Sequence, residues 1–121
     1  MRLLAVDDDK EITETISFYC EQMNIECKAF NTRKEGSKAI RGEHFDLILL
    51  DLAMPDISGL DIVNSLNEED LLASKNIVIM TGSSDIKMLF EIRNFGVKGI
   101  YKKPGSLEEL KEVIERHRPG I

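Results

Sequence analysis

The chain lacks any apolar stretch long enough to cross a bilayer or to serve as a secretory leader. Met1-Arg2 is followed by only four apolar residues, Leu3 to Val6, before three aspartates, whereas a membrane helix needs about 20 and a leader core about 7–15. A cytoplasmic address is therefore expected, with no membrane partner. Positive charge is also in deficit: 16 Lys and Arg stand against 22 Asp and Glu, for a formal charge of −6. An acidic domain repels phosphate backbones and anionic lipid, so direct nucleic-acid binding by this domain is not expected. There are only two cysteines, Cys20 and Cys27, without CxxC spacing or a histidine near them in sequence. Zinc is thereby disfavoured, and both are expected as buried free thiols. No Pro/Gly/Ser-rich linker, internal repeat or low-complexity segment interrupts the chain, which predicts a single domain over residues 1–121. A chain of this length can bury roughly two-thirds of its unfolded surface around one core.

Four short runs are almost wholly apolar: Leu3-Leu4-Ala5-Val6, Leu47-Ile48-Leu49-Leu50, Ile77-Val78-Ile79-Met80 and the weaker Gly99-Ile100-Tyr101. Uninterrupted runs are expected of parallel strands covered on both faces. The segment from Ile25 to Phe30 instead alternates, with Glu26 and Lys28 between apolar residues, as a half-exposed edge strand would. Between the runs lie helical patterns. Ile12, Ile16, Tyr19, Cys20 and Met23 share one face; Thr32 with Glu35, and Ser106 with Glu109, read as capping boxes; Asp9 reads as the cap of the first helix. A further helix is expected to start at Ser58, and another to run from Asp85 to Asn94 and stop at Gly96. The closing helix turns Leu107, Leu110, Val113 and Ile114 inward. Five β-α alternations imply right-handed crossovers and a three-layer α/β sandwich. Ligands of such sheets bind beyond the carboxyl ends of the strands.

Each central strand ends on a polar residue: Asp7 and Asp8 after the first, Asp51 after the third, Thr81 after the fourth and Lys103 after the fifth. Parallel strands bring these ends to one edge. Two carboxylates ~4 Å apart repel by about 4 kcal/mol at an effective dielectric near 20, so a cation is expected among them. Lys103 can neutralise one charge. A hard divalent ion held by carboxylates, a backbone carbonyl and water suits the rest, and Mg2+ prefers such donors. His44 and His117 have no companion ligands or nucleophiles at a suggestive spacing and are assigned no function.

With Val6-Asp7-Asp8-Asp9, Asp51-Leu52-Ala53-Met54-Pro55 with Gly59, Met80-Thr81-Gly82 and Lys102-Lys103-Pro104 in this order, the chain resembles the response-regulator receiver family over essentially its whole length. The resemblance implies a flavodoxin-like (βα)5 fold, doubly wound, with strand order 2-1-3-4-5. It implies that Asp51 accepts a phosphoryl group from a phosphohistidine on a sensor histidine kinase or phosphotransfer protein. Asp8, Asp51 and the backbone carbonyl of Ala53 would hold Mg2+, with Asp7 supporting it through water. Lys103 and the Thr81 hydroxyl would each engage a phosphoryl oxygen, and Pro104 would hold the Lys103 loop. Such a domain is a signalling switch acting on a downstream protein, not an enzyme with turnover.

Two positions depart from the family pattern. Receivers commonly carry Tyr or Phe where this chain has Ile100, and Phe where it has Gly105. Tyr101 cannot stand in for the first ring, because one step along a strand turns a side chain to the other face. Two rival functions fit less well. A phosphatase of the haloacid dehalogenase type needs a second aspartate two residues after the nucleophile, where this chain has Ala53, and so lacks a dedicated general base. A flavodoxin-like electron carrier needs a Ser/Thr-rich phosphate loop after the first strand, where Asp7-Asp8-Asp9 would repel the flavin phosphate. The sequence ends at Arg118-Pro119-Gly120-Ile121, soon after the fifth helix, so no output domain is expected within it.

Overall fold

The computed structural model describes residues 1–51, 60–82, 90, 92–102 and 106–118 of the protein. In chain order these form β1 (Arg2–Val6), α1 (Lys10–Gln22), β2 (Glu26–Phe30), α2 (Arg33–Gly42), β3 (Leu47–Asp51), α3 (Leu60–Glu68), a short α4 (Leu71–Ser74), β4 (Ile77–Thr81), β5 (Gly99–Lys102) and α5 (Leu107–His117). The five strands make one sheet in the order β2-β1-β3-β4-β5. Every pairing is parallel, as expected of the doubly wound α/β architecture.

The apolar runs divide by alternation into two cores. Leu4, Val6, Ile48, Leu50, Ile77 and Ile79 face one side, where Ala39 and Ile40 of α2, Leu66 of α3 and Ile92 cover them. Leu3, Ala5, Leu47, Leu49, Val78 and Met80 face the other, beneath Ile16 and Cys20 of α1 and Leu110, Val113 and Ile114 of α5. Burying each such aliphatic side chain contributes about 1.5–3 kcal/mol, so both faces of the central strands are sources of stability. The edge strand β2 is less enclosed: Glu26 and Lys28 are exposed while Cys27, Ala29 and Phe30 are half-buried. Cys27 is thus not the fully buried thiol expected, because its strand has a neighbour on one side only.

Local signals account for the helix boundaries. The Asp9 side chain accepts from the Glu11 backbone N–H to cap α1. Thr32 and Glu35 form a reciprocal pair, Glu35 N donating to Thr32 Oγ1 at 3.2 Å and Thr32 Oγ1 to Glu35 Oε1 at 2.9 Å. Ser106 accepts from Glu109 N at 3.2 Å. Residues 92–94 are helical and Gly96 follows at φ 99°, the left-handed stop expected there. The helix start at Ser58 and the segment from Asp85 lie outside the described residues. Helix α4 has no sequence signature; Asp70 precedes it at φ 63° and its side chain makes no cap.

Gly36 is required by packing. A Cβ on Gly36 of α2 would lie 2.5 Å from Val6 Cγ1 and 2.8 Å from Val6 Cγ2, whereas one on Gly42 would meet nothing within 4 Å. Replacing glycine by alanine in a helix gains about 1 kcal/mol of propensity, but overpacking a core costs about 1–3 kcal/mol. Gly36→Ala is therefore expected to lower the urea midpoint, and Gly42→Ala to leave it unchanged or raise it. A stabilised Gly36→Ala protein would show that α2 can lift away from Val6 at no cost.

Candidate functional site

The strand register sets the site. Val6 pairs with Leu50, Asp51 with Met80, and Thr81 with Lys102. Asp7, Asp51 and Thr81 therefore stand at the carboxyl ends of neighbouring strands, and all three are buried, to 3%, 1% and 2% exposure. Asp8 is exposed, at the rim. One carboxylate oxygen from each of Asp7, Asp8 and Asp51 lies within 4.8 Å of the others. The topology thus brings together the three acidic residues expected to meet. Lys103, which follows Lys102 in sequence, and Ala53, whose carbonyl was expected to join the set, lie outside the described residues.

The floor beneath this group is apolar. Val6, Ile12, Ile16, Leu49 and Met80 line, with Asp7 and Asp51, a small cleft of about 10 Å³, at the lower limit of what a single water occupies. Charge on Asp7 and Asp51 is therefore poorly solvated from below. At 4.8 Å two like charges repel by about 3–4 kcal/mol at an effective dielectric near 20. Three clustered oxygens, two buried and one exposed, are a hard donor set open to solvent on one side, and they fit a divalent cation that keeps several of its waters.

The loop that carries Asp7 and Asp8 is fixed by groups not singled out in the sequence. Asn31, directly after β2, donates through Nδ2 to the Asp7 backbone carbonyl and to Thr13 Oγ1, both at 2.9 Å. Thr13 is buried and its hydroxyl donates to the Lys10 carbonyl at 3.1 Å. Asp7 Oδ1 accepts from Asp9 N at 2.9 Å, and Asp7 N donates to the Phe30 carbonyl at 3.1 Å. The available signal was a polar residue ending β2 at the same sheet edge as the aspartates.

Ile100 and Tyr101 take opposite faces, as alternation requires. Ile100 packs with Phe95 and Val97 against the α2 side, whereas Tyr101 packs on the α1–α5 side. There the Tyr101 hydroxyl lies 2.6 Å from His117 Nε2, and the rings meet edge to face with centroids 5.4 Å apart. Gly99 makes room for the contact, since a Cβ there would lie 2.7 Å from His117 Nε2. Asn76 Nδ2 donates to the His117 carbonyl at 2.7 Å and to the Asp46 carbonyl at 2.9 Å. His117 thus anchors the end of α5, a helix-end structural role.

The family model of the response regulator receiver domain matches residues 3–115. The transcriptional regulatory protein CrdR of Helicobacter pylori is 27% identical over 115 residues, covering 95% of this chain and 54% of CrdR. The DNA-binding transcriptional regulator NtrC of Proteus hauseri is 29% identical over 111 residues, covering 92% of this chain and 23% of NtrC. The chain thus spans about half or less of the length of these relatives. Among solved structures, the CheY-like response regulator receiver domain protein of Methanospirillum hungatei superposes with a TM-score of 0.84 at 27% identity, over 95% of this chain and 90% of that one. Among the described residues, no helix is long and apolar enough to cross a membrane.

Two outcomes are expected. Asn31→Ala removes two hydrogen bonds that hold the acidic loop, and should lower stability by about 1–3 kcal/mol, read as a shift in the urea midpoint at constant slope. His117 is held below its ordinary pKa by burial and then by the nearby Arg116 charge. Between the lowered value and the unfolded value of about 6.5 the unfolded chain binds more protons, so stability falls as pH drops through that window. Urea unfolding at pH 7.5 and 5.5 should show a smaller pH dependence in His117→Gln than in the wild type. Equal dependence would remove His117 as a contributor.

Proposed function

The chain belongs to the response regulator receiver domain family, and from that premise we propose that Asp51 accepts a phosphoryl group with Mg2+ bound beside it. The observation that carries this reading is the position of Asp51, buried at the end of β3 with an oxygen within 4.8 Å of those of Asp7 and Asp8. Asp8, Asp51 and the Ala53 carbonyl would hold the ion, with Asp7 supporting it through water. When bound, Mg2+ supplies charge neutralisation for the carboxylates and for the incoming phosphoryl oxygens.

The reaction asks little covalent work of the protein. A carboxylate oxygen of Asp51 attacks the phosphorus of a phosphohistidine, a P–O bond forms as the P–N bond breaks, and the imidazole leaves with the bonding pair. The transition state is loose and its charge sits on three equatorial oxygens. Positioned donors are therefore the main requirement. The Thr81 hydroxyl would donate to one oxygen and the Lys103 ammonium would pair with another. Ala53 offers no general base for hydrolysis, so the aspartyl phosphate persists as a signal and the domain acts as a switch, not as a turnover enzyme.

Sensor kinases phosphorylate receiver domains, and we place a sensor histidine kinase or a phosphotransfer protein upstream of this one. One relative is itself named a sensor kinase/phosphatase, CqsS of Vibrio cholerae, 28% identical over 114 residues that make up 17% of its length. Residues 1–121 would act as one cytoplasmic domain whose output passes to another protein. Its charge of −6 argues against direct contact with nucleic acid, even though several relatives are named as transcriptional regulators.

Incubation with acetyl phosphate, with and without Mg2+, followed by intact mass measurement tests the reading. The wild type is expected to gain one phosphoryl group only with Mg2+, and Asp51→Asn none. Thr81→Ala should slow the gain by roughly tenfold or more, on the scale of losing one preorganised donor. No gain in the wild type with Mg2+ present would overturn the proposal, and continuous phosphate release from organic phosphates would favour a phosphatase.

A further inference from the structure

The two cysteines, expected as buried free thiols, share one apolar cluster across the α1–β2 packing. Cys20 is fully buried on α1 and Cys27 lies against the same apolar cluster from β2. Ser17, three residues before Cys20 and so on the same helix face, places its Oγ 3.7 Å from Cys27 Sγ. The connection between the two elements is tight. Met23 N closes the helix, Asn24 turns at φ 57°, and Ile25 N donates to the Cys20 carbonyl at 2.8 Å. That last bond pins the start of β2 under the end of α1, close to where both thiols are borne.

The pair is chemically unequal. Cys27 is half-buried on the edge strand, so a small solute can reach it, whereas Cys20 has no exposed surface. The Cys20 thiol does not ionise readily, being pushed up first by the neighbouring Cys27 thiol and then by burial. Cys27 is lowered, first by Cys20 and also by Ser17, with burial opposing. A thiol lowered by neighbouring donors and reachable from solvent is the attacking partner of a redox pair, and a buried thiol beside it is the resolving partner.

We propose that Cys27 and Cys20 form an oxidation-sensitive pair, in which Cys27 reacts with a hydroperoxide and Cys20 resolves it to an intramolecular disulfide joining β2 to α1. The Cys27 thiolate attacks the outer oxygen, the O–O bond breaks and an alcohol or water leaves, so that sulfur is oxidised and the peroxide reduced. The sulfenic acid then loses its oxygen as water when the Cys20 sulfur attacks the Cys27 sulfur, the Cys20 proton leaving in that water. In sum, two thiols and one hydroperoxide give one disulfide, one alcohol and one water. Thiol reagents reverse the change.

The test is treatment of the whole chain with hydrogen peroxide, followed by alkylation, intact mass measurement, peptide mapping and a non-reducing gel. The wild type should lose two hydrogens, lose both thiols together and stay monomeric, with recovery on adding dithiothreitol. Cys20→Ala should instead gain oxygen at Cys27. In Cys27→Ser the Cys20 thiol should be consumed at least about tenfold more slowly than in the wild type, as expected of an inert buried thiol. Circular dichroism checks that each variant folds, and mapping of the wild type alone reports the bridge if one does not. Oxygen uptake at Cys27 with the Cys20 thiol intact, disulfide dimers as the sole product, or unchanged Cys20 consumption in Cys27→Ser would each overturn the proposal.

Discussion

The structure depends on the mutual repulsion of carboxylates that the topology brings to one edge. Parallel strands start together and end together, so a chain that closes β1 with Asp7 and Asp8 and β3 with Asp51 sets oxygens within 4.8 Å of one another. The cost of that crowding is met in part locally, Asp7 Oδ1 accepting from Asp9 N, and otherwise by the two apolar cores that hold the strands in place; a cation bound there would relieve it further. The apolar lining shared with Asp7 and Asp51 sharpens the requirement, because both carboxylates are nearly buried. A site so arranged would gain stability from a ligand that brings positive charge.

The supporting contacts are short and specific because a loose loop would relax the repulsion by drifting apart. Asn31 and Thr13 tie the Asp7 carbonyl to β2 and α1, and Asp7 Oδ1 is held by Asp9 N. Asp9 meanwhile caps α1. Three consecutive aspartates thus divide three roles: Asp7 is buried and hydrogen-bonded, Asp8 faces solvent, and Asp9 starts a helix.

Most of the fold was legible because its signals are local. Uninterrupted apolar runs mark β1, β3 and β4, alternation marks β2, and Thr32, Asp9 and Ser106 announce helix starts through residues two or three positions away. The acidic cluster was legible for a different reason, since topology alone collects strand ends. Features that rest on partners distant in sequence were not legible. Asn31 gains its meaning from Asp7 and Thr13, and His117 from Tyr101 and Asn76. The half-buried state of Cys27 follows from β2 lying at the sheet edge, where one residue in a short alternating run looks like any other. Helix α4 begins after a left-handed Asp70 that makes no cap, so no residue pattern announced it.

The same alternation constrains how Thr81 can be sensed. Thr81 follows Ile79 at the same-face interval on β4, and Ile79 pairs with Ile100 on β5. Were Thr81 to shift, the change would therefore be felt on the α2 side of the sheet, where the β5 side chain is an isoleucine packed against the same core as Phe95 and Val97. Isoleucine has no hydroxyl to exchange between buried and exposed partners, so at that position a change would be carried by packing. The hydroxyl that β5 does possess belongs to Tyr101, on the opposite face and bonded to His117. It cannot follow Thr81 without reversing the strand's alternation. At neither position does β5 present a ring on the face of Thr81, since residue 100 is an isoleucine and Tyr101 lies on the opposite side of the sheet.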